Sequence, residues 1–190
     1  MKSISFAAVV SDELDILKSV AACLETAGIP YMLTGSMATN FYATPRMTRD
    51  IDLVVELGET DVGRVVMLFQ HDYYIDRDMV EQAVKTRSMF NMINNALVIK
   101  VDCVVRKESA YRQEEFSRRR RVIVDGESVA IVAPEDLILS KLEWAKESRS
   151  QMQLDDVRNV LRSVQSLDRT YLDRWADRLG LAGLYHEVQL

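Results

Sequence analysis

The stretch YMLTGSMATNFYATPRMTRDIDLVV, Tyr31–Val55, decides the reading of this chain. It reads as a strand, a tight turn at Gly35-Ser36, a short helix over 36–42, a loop over 43–49 and a second strand over 50–56. Alternate side chains of a strand share a face, so Asp50 and Asp52 project together while Ile51 turns the other way. Leu53, Val54 and Val55 continue as an apolar run suited to a buried central strand. Two carboxylates side by side at the end of such a strand repel each other, and a divalent cation is the usual compensation.

Upstream, Ile16, Leu17, Val20, Cys23 and Leu24 recur at helical spacing and predict a helix over 11–27, opened by Ser11 and closed by Gly28 before Pro30. Downstream, Thr60 is expected to cap a helix running to Gln70, and a second helix is expected over 77–86. Strands over 88–93 and 97–105 form a hairpin with Asn94-Asn95 at its turn. A polar helix over 109–118 precedes a second hairpin, 121–124 with 128–132, turned by Asp125-Gly126. Pro134 suits a first helical position with Glu135 and Asp136 behind it, and helices are expected over 134–148, 153–165 and 168–179, with a short one last. The fold class is α/β (α+β): a mixed sheet core over 1–132 flanked by helices, then a helical region over 133–190 packed on it.

Composition bounds the function. The 190 residues are 48% apolar and 28% charged, an ordinary globular balance. A net charge of -5 excludes a general nucleic-acid binder, so any such contact needs a local patch. Cys23 and Cys103 lie far apart, and His71 and His186 form no ligand cluster, which argues against a disulfide scaffold or a zinc site. No apolar run approaches a membrane span, and acidic residues follow the short patch in MKSISFAAVVSDELD at once, without a cleavage-like tail. A soluble cytoplasmic protein is the expectation.

A third acid, Asp102, sits within the apolar strand LVIKVDCVV, where a lone charge is costly unless paired or on a metal. If that strand lies beside the Asp50 strand, Asp50, Asp52 and Asp102 converge on one or two magnesium ions, which favour oxygen ligands and phosphate. The Gly35-Ser36 turn adds backbone N–H groups at a helix N-terminus, a place that favours phosphate. Acids for metal, a phosphate nest and basic residues between them suggest a nucleoside triphosphate.

Gly-Ser, a spacer, Asp-Ile-Asp and a later lone Asp on a strand resemble the nucleotidyltransferase superfamily with the polymerase-beta-like fold. RMTRDIDLVV resembles the R-x-T-x-D-h-D form of its minimal bacterial branch, which includes the AbiEii-like toxins of type IV toxin–antitoxin systems. APEDLILSKLEWAKESRSQMQLDDVRNVL resembles their C-terminal helices. The resemblance implies that Gly35 and Ser36 hold the triphosphate, that Asp50 and Asp52 bind magnesium, and that Asp102 is the third carboxylate, activating an acceptor hydroxyl. It places Lys141 near the phosphates and matches Asp156 to the second acid of a D-x-x-D stretch, whose first position is Gln153 here. Arg46 and Arg49 would serve as counter-charges to the triphosphate.

Plainer readings stand beside these. Asp50 and Asp52 can be a solvated strand end, Asp102 a structural partner of Lys100 or Arg106, Ser36 a helix cap, Lys141 a surface ion-pair partner, and Arg46 and Arg49 loop charges. The run Arg118 to Arg121 reads as a solvated helix end in preference to a contact with a structured RNA. Met89 and Met92 read as core filler. The function expected is a magnesium-dependent nucleotidyltransferase moving a nucleoside monophosphate to an acceptor hydroxyl on tRNA, a protein or a small molecule, in the context of a toxin with a cognate antitoxin. The alternative is a module of the same fold that binds nucleotide or a partner with little or no turnover.

Overall fold

A computed structural model describes residues 12–189. Its centre is a 7-stranded mixed sheet in the order β3-β4-β5-β2-β1-β7-β6. Helix α1 (Asp12–Thr26) turns its apolar stripe inward, burying Leu17 and Val20 completely; Ser11, the expected first residue of that helix, lies outside the described residues. Strand β1 (Tyr31–Thr34) runs directly into α2 (Gly35–Tyr42), and β2 (Ile51–Val55) returns antiparallel to β1. In β2 the pattern alternates as the sequence requires. Ile51, Leu53 and Val55 are buried in the core, each worth roughly 1.5–3 kcal/mol for a large aliphatic side chain, while Asp52 and Val54 face the other way.

The chain past β2 departs from expectation in small ways. Thr60 caps no helix: a 3-10 turn over Glu59–Asp61 comes first, the Asp61 carboxylate accepts the Gly58 N–H at 2.9 Å, and α3 (Val62–Phe69) follows. Strand β3 (Tyr73–Ile75) pairs with β4 (Met89–Asn94) at the sheet edge and is too short to show a period in sequence. Helix α4 (Arg77–Thr86) is capped by Asp76, which accepts two backbone N–H groups of its first turn. Strand β5 (Lys100–Val105) begins three residues later than expected, because Val98 takes a left-handed backbone at φ 55° in the turn. Met92 is core, but Met89 is half exposed.

Helix α5 (Ala110–Ser117) leads into the hairpin of β6 (Arg120–Val124) and β7 (Glu127–Ile131), turned by Asp125 and Gly126, both at positive φ. Strand β7 runs parallel to β1. Helices α6 (Pro134–Ser148), α7 (Gln151–Ser163), α8 (Arg169–Arg178) and α9 (Ala182–Glu187) complete the chain, with α6 lying against α2, α7, α8 and α9. No helix among the described residues is long and apolar enough to cross a membrane.

The arginine run is only in part a solvated helix end: Arg118 and Arg119 are half-buried, and Arg120 and Arg121 are exposed on β6. Glu135 and Asp136 are buried at the start of α6 and need counter-charge. Arg118 supplies it, pairing with Glu135 at 3.0 Å and Asp136 at 2.9 Å while its guanidinium stacks over Tyr171. Arg120 reaches Glu135, Arg121 pairs with Glu25 on α1, and Arg119 lies over Phe116.

Candidate active site

Strand β5 lies parallel to β2, with Asp52 opposite Asp102 in register. The condition on which the three acids depended is therefore met, and Asp50, Asp52 and Asp102 line one cleft of about 480 Å³ between this sheet face and helices α5 to α7. Burial, reinforced by the charges of Asp102 and Asp50, holds the Asp52 carboxyl above its usual pKa. A backbone hydrogen bond from Ser36 acts the other way.

Gly35 is held to its identity twice. Its φ of +64° disfavours any side chain, and a Cβ there would stand 2.0 Å from Asp52 Oδ2. The backbone of the β1–α2 turn and the Asp52 carboxylate are thus packed in direct contact. No side chain caps α2, so the first-turn N–H groups beyond Ser36 lack helical acceptors.

The three acids do not form a ready-made ligand set; among the described residues no group of three or more His, Cys, Asp or Glu side chains is placed to hold a metal. Lys100 stands among them, two residues before Asp102 on the same strand face. Its ammonium bonds Asp102 Oδ2 at 2.8 Å and stands 3.8 Å from Asp50. That bond, with the neighbouring acids behind it, raises the Lys100 pKa. Yet compensation is incomplete, because Asp102 Oδ1 is buried without any partner. An orphaned carboxylate oxygen beside Asp52, in an all-oxygen donor set, fits a hard divalent cation bound through one or two carboxylates and phosphate.

The opposite wall is basic and built from distant parts of the chain. Asp156 on α7 is buried, and both its oxygens are occupied. Arg46 binds it bidentately at 3.0 and 2.9 Å, and Lys141 on α6 donates to it at 2.8 Å. Burial alone would raise the Asp156 carboxyl, but hydrogen bonds from Arg46 and Lys141 outweigh it and hold the pKa below the usual value. Lys141 is itself buried, and burial lowers its pKa despite the pairing with Asp156. Arg46 also donates to the Ser36 hydroxyl at 2.6 Å, joining this wall to the Gly-Ser turn.

Of the residues expected at the site, Gly35, Ser36, Asp50, Asp52, Asp102 and Lys141 line the cleft. Arg46 reaches it through Ser36. Asp156 sits behind the wall, where it orients Arg46 and Lys141. Arg49 is exposed and lines no part of the cleft. Sequence reasoning missed Trp144, 64% exposed on the cleft rim, and the half-buried Arg112, which bonds Glu115 and Ser140 in the cleft. The α6 pattern placed Trp144 one turn after Ser140, but nothing local marked the outward-facing indole.

No protein-family model matches the chain, and no curated protein is matched by sequence. Solved structures are matched. The antibiotic-resistance factor ANT(2'')-Ia aligns at TM-score 0.59 and 15% identity over 92% of this chain and 96% of that one. An antigenic nucleotidyltransferase-like protein from Paracoccidioides brasiliensis aligns at 0.56 and 17% identity over 94% and 93%. The chain has a nucleotidyltransferase-like fold. The lincosamide antibiotic adenylyltransferase LnuA, solved with lincomycin bound, aligns at 0.55 and 11% identity over 82% of this chain and 99% of that one. At such identities the likeness carries the fold, and any function has to be argued from the side chains.

Proposed function

We propose that this protein is a magnesium-dependent nucleotidyltransferase that moves a nucleoside monophosphate from a triphosphate to an acceptor hydroxyl. The observation that carries the reading is the register of Asp52 against Asp102, with Gly35 packed on Asp52 and Asp102 Oδ1 left unpartnered. A hard divalent cation held by Asp50 and Asp52 would neutralise the triphosphate and stabilise the departing pyrophosphate. The first turn of α2 and the Ser36 hydroxyl bind the phosphate chain, with Lys141 and Arg46 as counter-charges. The Asp102 carboxylate takes the proton of the acceptor hydroxyl, whose oxygen bonds to the α-phosphorus as the bond from that phosphorus to the bridging oxygen breaks. The α2 turn and the basic wall hold both phosphate groups in place while charge shifts to the pyrophosphate.

The acceptor is an open part of the proposal. ANT(2'')-Ia has been solved with adenylyl-2''-tobramycin, and LnuA acts on lincosamides, so small hydroxyl-bearing acceptors belong in the trial with tRNA and protein. A toxin role with a cognate antitoxin is proposed on the segment RMTRDIDLVV. A second reading has its own observation: Lys100 already bridges Asp102 and Asp50, as an internal cation would in a module that binds nucleotide without turnover.

One experiment separates them. The protein is incubated with each α-labelled NTP, magnesium and, in turn, total RNA, lysate and aminoglycoside or lincosamide acceptors, beside the double variant Asp50→Ala/Asp52→Ala. Transfer is expected with the intact acids and a loss of about a thousandfold or more in the variant, several kcal/mol of transition-state stabilisation. Magnesium-dependent NTP binding with no labelled product from any acceptor would favour the module.

A further inference from the structure

Gln153 stands on α7 one turn before Asp156 and lines the same cleft as Gly35 and Ser36. Lys141 Nζ donates to its side-chain oxygen at 2.9 Å. An ammonium has only donors, so this bond fixes the amide: oxygen toward the lysine, NH₂ turned away from it. Among the described residues that NH₂ has no hydrogen-bond acceptor.

The charges around it do not close. Asp156 is the one anion bonded to both Arg46 and Lys141, so this triad carries one surplus positive charge, offset in part by Asp52, whose charge acts on Lys141. Holding surplus charge in a partly desolvated wall is costly, and the cost is relieved when an anion enters. Resting on the nucleotide reading above, we propose that Gln153 is a phosphate-binding residue: its NH₂ donates to the triphosphate, and its neutrality preserves the surplus charge that attracts it. A glutamate at this position would cancel the surplus and replace a donor with an acceptor. It would also give Lys141 a second anionic partner, which strengthens the fold locally. Binding and stability therefore move in opposite directions, which separates a phosphate role from a merely structural one.

The test is calorimetric titration of magnesium-free tripolyphosphate, and of magnesium-NTP, into the full chain and its Gln153→Glu and Gln153→Ala variants, with thermal melts of each. Gln153→Glu is expected to bind about tenfold more weakly or worse while melting at the same temperature or higher. Gln153→Ala, which loses the donor but keeps the charge, is expected to fall about threefold. Wild-type binding matched within about twofold by both variants overturns the inference and leaves the nucleotide reading intact. A wild-type protein that binds neither tripolyphosphate nor any NTP overturns the nucleotide reading itself.

Discussion

Helix α6 carries two buried ion-pair clusters fewer than two turns apart, and they are built to opposite rules. At its start, Glu135 and Asp136 face Arg118 and Arg120, anions matching cations in number. Tyr171 donates its hydroxyl to Asp136 at 2.5 Å, and the Asp168 N–H donates to Glu135 at 3.1 Å. Its charges balance, and its acids are shut off from solvent. Further along, Lys141 and Arg46 share the single carboxylate of Asp156, and the surplus opens onto a cleft. A buried cluster that balances its charge holds elements together; on the nucleotide reading proposed above, one left unbalanced at a cavity wall suits an anion.

The largest effect should come from removing the central acid of each cluster. Asp136→Ala and Asp156→Ala are each expected to cost about 3–5 kcal/mol in urea denaturation, because each strands buried partners. Only Asp156→Ala should also abolish NTP binding, and equal binding loss in both would erase the distinction between the clusters. Next comes Gly35→Ala, which forces a Cβ onto Asp52 and a left-handed backbone onto alanine. The strain is about 1–2 kcal/mol, and metal-dependent NTP binding is expected to vanish by calorimetry while the far-UV spectrum stays native. Smallest is a pH effect. Burial lowers the Lys141 pKa below the ordinary 10.5 of a lysine. The phosphate chain favours the protonated ammonium, so affinity is expected to decline as pH rises through that lowered pKa. Lys141→Arg, which stays charged, should flatten the decline, and an unchanged profile would place Lys141 outside phosphate binding.

The elements best read from sequence are those with a local signature. Alternation marked β2, Asp125-Gly126 marked the β6–β7 turn, and Pro134 marked the start of α6. Asp50, Asp52 and the Gly35-Ser36 turn were legible for the same reason, since strand period and turn chemistry act between near neighbours. Strand β3 escaped because three residues are too few to show a period. Arg118 was misread because a charge run looks solvated until the buried acids it serves are found across the fold.

By itself, then, the sequence determined which side chains share a strand face and where the backbone needs glycine. Only tertiary packing decided that Asp102 stands in register with Asp52, that Lys100 bridges two of the acids, and that Arg46 reaches 110 positions along the chain to Asp156. The division has a physical cause. Backbone period and turn geometry are set by neighbours in the chain, whereas the compensation of a charge depends on burial and on whichever opposite charge the fold brings within a few ångströms.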